Sequence, residues 1–172
     1  MEERLNALQV ALTNEMWEHE FYLNNANRTA NAVGKAMFKQ IAAEELEHYE
    51  RLKQLAAVWA KQGKWPETLP LQVKNTVVGD ILLDVVKKSA AAQPSDADDL
   101  KAIRTAIDFE AKGAAFYARL RDESSDPREK AFFALLAGIE QEHFSSLKDT
   151  EEYLIDPAGW YQKTERSGLD GA

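Results

Sequence analysis

Two short stretches of the sequence decide the fold: IAAEELEH at residues 41–48 and LAGIEQEH at residues 136–143. Each stretch carries a Glu-x-x-His motif among apolar residues at helical spacing. Because positions three apart lie on one face of a helix, the Glu and the His of each motif can reach one metal ion together. A single motif of this kind is more often a solvated charge cluster, but two matched copies predict a metal site.

Around these motifs, apolar residues recur every three or four positions in four segments, at residues 5–26, 38–59, 103–117 and 133–154. This spacing is typical of amphipathic helices that bury one face. We therefore predict an all-α domain, a four-helix bundle that occupies residues 1–155.

Two capping patterns predict where the later helices begin. Ser95 is followed three residues later by Asp98, which predicts a capping box at the start of the third long helix. Asp126 is followed by Pro127, which predicts an N-cap with proline at the first position of the fourth.

The remaining segments lack the long periodic pattern. A connection at about residues 63–94 joins the second and third long helices, and Val77 to Val86 fits one short helix within it. Residues 156–172 are predicted to be a tail whose Trp160 and Tyr161 pack on the bundle or on a partner.

The two halves of the chain superpose at an offset of 95 residues. This offset pairs Glu15 with Glu110, Tyr22 with Tyr117, and one Glu-x-x-His motif with the other. The repeat predicts two copies of one helical hairpin, packed about a pseudo-two-fold axis.

Four carboxylates and two imidazoles fall on the apolar stripes, and they form the predicted ligand set: Glu15, Glu45, His48, Glu110, Glu140 and His143. Carboxylates facing each other in a low-dielectric core repel, and metal cations relieve that repulsion. The set suits two ions bridged by two carboxylates. Iron is favoured, with manganese or zinc as substitutes, whereas calcium sites do not use imidazole.

Three further side chains are predicted to serve this site. Tyr22 and Tyr117 each follow a ligand glutamate by seven residues, so each hydroxyl is expected to hydrogen-bond to a ligand carboxylate. Glu18 follows Glu15 by three residues, whereas its repeat partner is Gly113. Glu18 is therefore a candidate for a mobile seventh metal ligand.

Other polar residues near the motifs have simpler interpretations. His19 pairs with Ala114 in the repeat and is predicted to be a core histidine with a hydrogen-bond partner. Glu47 and Glu142 point away from the apolar stripes and are predicted to be solvated or salt-bridged.

Composition excludes several function classes. The net charge of -8 and the scattered basic residues argue against nucleic acid as a partner. Cysteine is absent, which excludes thiolate sites and a rubredoxin-like iron centre within this chain. No apolar run approaches the roughly 18 residues of a membrane span, and the acidic start is unlike a signal peptide, so a cytoplasmic location is expected.

The order and spacing of these glutamates, histidines and tyrosines resemble those of the rubrerythrin family, over about residues 5 to 154. The resemblance implies a ferritin-like bundle, in which a long crossover between helices two and three makes those helices parallel. It also implies a centre of two iron ions that reduces hydrogen peroxide, and a homodimer.

The chain departs from the family pattern in two ways. Rubrerythrins take electrons from a rubredoxin-type centre that is often fused to the bundle, so this chain is expected to need an external donor such as a rubredoxin-like protein. Rubrerythrins also carry an extra glutamate, which exchanges with a histidine, at the position of Gly113. We hypothesise that Glu18 takes that role here and exchanges with His143.

Three functions remain open at this level. The first is peroxide reduction, with protons from water or from Tyr22 and Tyr117. The second is iron handling, in which the same centre oxidises ferrous iron with dioxygen or peroxide. The third is a non-catalytic interaction module that the metal ions stabilise.

Overall fold

The computed structural model describes residues 2–66, 73–88 and 95–169, with side-chain surroundings described as far as residue 164. This part of the chain contains six helices and no strand, which confirms the all-α prediction. The helices are α1 (Glu2–Arg28), α2 (Ala32–Gln62), α3 (Val78–Lys88), α4 (Ala97–Glu123), α5 (Pro127–Ile155) and α6 (Pro157–Leu169). None of them is long and apolar enough to cross a bilayer.

The four long helices form two hairpins, α1 with α2 and α4 with α5. Arg28, at the end of α1, pairs with Asp99 near the start of α4 at 2.8 Å, so these two helices are antiparallel. Since α1 is also antiparallel to α2, helices α2 and α4 run parallel. This is the arrangement that a long crossover produces in ferritin-like bundles.

The cap of α4 lies one residue later than the sequence pattern predicted. The capping box is formed by Asp96 and Asp99, not by Ser95 and Asp98. The Ser95 hydroxyl instead donates a hydrogen bond to the carbonyl oxygen of Leu154, at 3.3 Å. The Asp99 amide donates to the Asp96 side chain, and the Asp99 carboxylate accepts from Arg28 of α1. This tertiary contact favours a helix start at Asp96 over one at Ser95.

The cap of α5 agrees with the sequence. Asp126 accepts a hydrogen bond from the Arg128 amide at 2.8 Å, and Pro127 opens the helix. The predicted short helix in the crossover is also present, as α3, which buries Val78, Leu82 and Val86.

The chain continues beyond α5 as helix α6, within the segment that is predicted from the sequence to be a tail. Asp156 starts this helix because its side chain accepts a hydrogen bond from the Gly159 amide, at 3.0 Å. Trp160 is buried and packs edge-on against Tyr153, with ring centroids 5.5 Å apart, whereas Tyr161 is exposed.

The core consists of two apolar clusters. One includes Tyr22, Phe38, Ile41, Ile103 and Leu147, and the other includes Leu8, Leu52, Tyr117, Phe133 and Leu136. Along each long helix the predicted metal ligands lie between residues of the two clusters. The fold therefore holds a layer of ionisable groups between two apolar layers.

Candidate metal centre

All four long helices contribute to the ionisable layer. Helix α1 supplies Glu15, α2 supplies Glu45 and His48, α4 supplies Glu110, and α5 supplies Glu140 and His143. Each of these six side chains belongs to a residue that is at most 2% exposed. The structure thus brings together the whole ligand set that the sequence repeat indicated.

Four of these residues form what we term the first metal position: Glu15, Glu45, His48 and Glu140. One ligand atom from each lies within 4.8 Å of the others. The His48 Nδ1 atom is 3.1 Å from Glu45 Oε2 and 3.2 Å from Glu15 Oε2. An ion here would have three carboxylates and one imidazole within reach.

The second metal position consists of Glu45, Glu110, Glu140 and His143. Its ligand atoms also lie within 4.8 Å of one another. The His143 Nδ1 atom is 3.2 Å from Glu45 Oε1 and 3.3 Å from Glu110 Oε2. The donor types are the same as in the first position.

Glu45 and Glu140 belong to both positions and face each of them with a different oxygen atom. Glu45 turns Oε2 towards His48 and Oε1 towards His143, at 3.1 and 3.2 Å. Glu140 does the same with Oε1 and Oε2, at 3.5 and 3.9 Å. Both carboxylates are thus placed where each could bridge two ions, and sequence alone did not show which glutamates would take this place.

The unpaired oxygens of the site show that its residues fit a pair of cations. Both carboxylate oxygens of Glu140 are buried without a hydrogen-bond partner among the described residues, and the nearest ring nitrogens lie 3.5 and 3.9 Å away. Burial, followed by the charge of Glu45, raises the pKa of Glu15 to about 8 and also raises the pKa of Glu140. Cations that prefer oxygen and imidazole ligands would satisfy these groups.

In the metal-free chain, protonated imidazoles offset part of the negative charge. Burial alone would lower the pKa of His48, but the charge of Glu45 and the hydrogen bond with Glu15 raise it to about 10. The pKa of His143 is raised in the same way, against the effect of burial, by Glu110. A bound cation would displace these protons, because only the neutral imidazole is a ligand.

Each of the two tyrosines hydrogen-bonds to a glutamate in the other half of the repeat. The Tyr22 hydroxyl donates to Glu110 Oε1, and the Tyr117 hydroxyl donates to Glu15 Oε1. Burial and then the partner carboxylate raise the pKa of each phenol. Both therefore remain protonated donors at neutral pH, each fixed to the carboxylate that serves only one metal position.

Glu18 and Gly113 make the two halves of the site unequal. Burial, then the charges of Glu45 and Glu15, raises the pKa of the partly buried Glu18 to about 10, so this side chain lies within the electrostatic field of the cluster. A Cβ atom at Gly113 would lie 3.4 Å from the Cδ and Oε2 atoms of Glu140. The site thus has a carboxylate beside it on α1 and bare backbone at the matching place on α4.

The remaining polar residues near the motifs lie outside both metal positions. The His19 Nδ1 atom is 2.6 Å from the carbonyl oxygen of Ala42. Glu47 lies 4.0 Å from Arg51, and Glu142 is exposed.

Sequence reasoning missed Glu44. Its Oε2 atom lies 2.6 Å from the Nε2 atom of His143, on the side of the ring away from the other carboxylates. Burial tends to raise the pKa of Glu44, but hydrogen bonds with His143, Thr76 and Gln40 lower it to about 2. The 95-residue offset pairs Glu44 with Ile139, so the repeat could not reveal it.

The chain matches a model of a known protein family. The family model described as Rubrerythrin matches residues 6–151, which include the six predicted ligands and both tyrosines. Comparison with curated proteins and with solved structures finds no significant match.

Proposed function

The chain belongs to the rubrerythrin family, and on that premise we propose that it is a non-haem di-iron oxidoreductase that reduces hydrogen peroxide with electrons from an external donor. The observation that carries the proposal is the shared pair of buried carboxylates. Glu45 and Glu140 belong to both metal positions, so two ions held there would share two ligands.

We propose iron as the resident metal. Four carboxylates and two imidazoles are ligands for octahedral-leaning ions and leave room for water or an oxidant. Zinc prefers four ligands, often including thiolate, and suits this set less well. Manganese or zinc could occupy the same positions as substitutes.

The side chains around the centre hold protons and exclude water. When bound, a reduced iron pair would supply the two electrons that, with two protons, convert one hydrogen peroxide to two waters. Tyr22 and Tyr117 hold their hydroxyl protons at Glu110 and Glu15, the carboxylates that would each serve one iron ion. The two apolar clusters limit bulk water around this layer. Electrons then return from an external donor such as a rubredoxin-like protein, because this chain has no cysteine.

Glu18 is proposed as the mobile carboxylate of the cycle, exchanging with His143. Its electrostatic partners include Glu45, Glu15, Glu110 and His143, which supports a place beside the cluster. Structures of the oxidised and reduced protein test this role. Glu18 pointing to solvent in both would overturn it.

Iron oxidation for storage or transfer is a second candidate, favoured by one cavity. A space of about 250 Å³ beside the crossover is lined by Glu44, Glu47 and His48 among others. An acidic cavity that reaches a metal ligand suits the entry of ferrous ions.

Stopped-flow mixing of the diferrous protein with peroxide and, separately, with dioxygen distinguishes these functions. Fast oxidation by peroxide and slow oxidation by dioxygen would support peroxide reduction, and the reverse would support iron oxidation. Protein that binds two iron ions but reacts with neither oxidant would contradict both and leave a metal-stabilised interaction module.

A further inference from the structure

One of the two motif histidines has a carboxylate at the ring nitrogen that faces away from the metal positions. His143 is fully buried, and its Nδ1 atom faces Glu45 and Glu110. Its other nitrogen, Nε2, lies 2.6 Å from Glu44 Oε2. With the Nε2 proton donated to Glu44, the lone pair of a neutral imidazole lies on Nδ1, which is the atom that faces the carboxylates.

The other motif histidine differs in this respect. The contacts that His48 makes with Glu15, Glu45 and Glu140 all involve its Nδ1 atom. In the repeat, the residue that corresponds to Glu44 is Ile139, which is 3% exposed and carries no acceptor. The two halves of the site therefore differ at Glu44 and Ile139 as well as at Glu18 and Gly113.

Glu44 is itself fixed by groups on two segments. Its Oε1 atom accepts hydrogen bonds from Gln40 Nε2, at 2.7 Å, and from the amide of Val77, at 3.4 Å. It also hydrogen-bonds with the Thr76 side chain. Residues 73–77 belong to the crossover, so Glu44 connects that segment to a buried residue of α5.

We propose that Glu44 is a positioning residue that fixes the tautomer and the orientation of His143, so that the second metal position binds its ion more tightly than the first. The inference rests on the proposed metal centre. Carboxylates that accept from the free nitrogen of a ligating histidine orient the ring and raise its basicity, and losing one typically weakens metal binding by about 10 to 100-fold.

Cobalt(II) titration of the metal-free protein, followed by visible absorption and calorimetry, tests the order of binding. Wild-type protein should bind two ions in two steps. Glu44→Ala should weaken one step by about tenfold and leave the other unchanged, and Glu44→Gln should fall between because its amide oxygen still accepts a hydrogen bond. Glu50→Gln, at an exposed acidic residue of the same helix outside both positions and outside the cavity beside the crossover, is the matched control.

A double-mutant comparison assigns the affected step. In a Glu15→Gln background, which impairs only the first position, Glu44→Ala should keep its full effect. In a Glu110→Gln background, which impairs the second, its effect should disappear. Equal loss in both backgrounds, or no loss in either, would overturn the proposal. A wild-type chain that binds no cobalt would overturn the metal centre itself and this inference with it.

The hydrogen bond between His143 Nε2 and Glu44 gives a readout that does not depend on metal. The chain has three histidines, so ¹⁵N-histidine spectra of the metal-free protein can resolve each ring. Glu44→Ala should change the Nε2 signal of His143 and leave that of His19 unaltered. If Glu44→Ala does not fold, Gln40→Met removes one donor that holds Glu44 and should cause a smaller change in the same direction. An unchanged His143 signal in both variants would contradict the proposal.

Discussion

At the scale of single residues, the six predicted ligands differ in how many ions each would serve. Glu45 and Glu140 face both metal positions, whereas Glu15 faces only the first. Glu45→Ala should therefore lose both ions, and Glu15→Ala should keep about one of two. Metal content per chain, measured by elemental analysis after aerobic purification, checks this. Glu142→Ala is the control because Glu142 is exposed beside the motif, and full metal content in Glu45→Ala would show that the bridging assignment is wrong.

The tyrosines should matter through the carboxylates they hold. Tyr22→Phe removes the donor to Glu110 without changing the shape of the ring. We expect about tenfold weaker metal binding, because an oriented ligand loses its partner. Tyr117→Phe should have a similar effect through Glu15. Cobalt titration measures the change in affinity. Tyr49→Phe is the control, because Tyr49 is a partly exposed tyrosine of α2. Unchanged affinity in both Tyr22→Phe and Tyr117→Phe would contradict the prediction.

The sequence predicts those residues of the site that occur in both halves of the repeat. A constant offset and helical spacing placed the six glutamates and histidines, and both tyrosines, on matching faces. The bridging roles of Glu45 and Glu140 depend on which oxygen faces which ion, and this arises only when four helices pack. Glu44 was missed because its contact with His143 spans α2 and α5 and has no copy in the other half.

At the scale of elements, helix ends depend on tertiary contacts as well as on local signals. Asp99 receives the Asp96 amide in the α4 capping box and also pairs with Arg28 of α1. Asp99→Ala should lower the free energy of unfolding by about 1 to 2 kcal/mol. Asp98→Ala, at the exposed neighbouring position, should change it little. Urea denaturation of both variants measures the difference. A larger loss of unfolding free energy for Asp98→Ala would favour the capping box of Ser95 and Asp98 instead.

Helices α4 and α5 are also connected by an ion pair that should depend on pH. Hydrogen bonds from Arg104 and then from Lys148 lower the pKa of Glu151 below its ordinary value. A lowered pKa adds stability that is present above the ordinary pKa and is lost as pH falls through the lowered one. Glu151→Gln should thus cost up to about 1 kcal/mol at pH 7, and less as pH falls below about 4.

Urea denaturation of metal-free protein at several pH values measures this contribution of Glu151. Glu20→Gln, at an exposed site on α1, is the control for a change of charge alone. A penalty for Glu151→Gln that stays constant down to pH 3 would show that the ion pair with Arg104 is not its source.

The long helices could be predicted because their apolar periodicity extends over many turns. Asp126 and Pro127 marked the start of α5 correctly, because that cap is formed by residues adjacent in sequence. Helix α6 was not predicted, since its stability depends on Trp160 packing against Tyr153 of another helix. Local breakers such as Gly159 were outweighed by that contact.

At the scale of the whole molecule, the bundle holds a charged layer between two apolar clusters. A domain of this size has a net stability of only about 5 to 15 kcal/mol, so several buried and unpaired oxygens are a substantial cost. Hydrogen bonds with the tyrosines and His48 hold the carboxylates of Glu15, Glu45 and Glu110 and set their geometry before any ion binds. Metal binding should therefore contribute strongly to folding stability, by about 2.7 kcal/mol for one site at a hundredfold excess over Kd.

Removing one bridging carboxylate should reverse the order of stability between metal-free and metal-loaded protein. Both Glu140 oxygens are buried without a hydrogen-bond partner among the described residues, so metal-free Glu140→Leu should be about 1 to 3 kcal/mol more stable than wild type. With metal added, wild type should become the more stable, because the variant has lost a ligand from both positions. Urea denaturation with and without cobalt measures both orders. Leu136→Ala, a core truncation, should destabilise both forms, and a Glu140→Leu variant that does the same would show that the buried Glu140 carboxylate does not destabilise the metal-free protein.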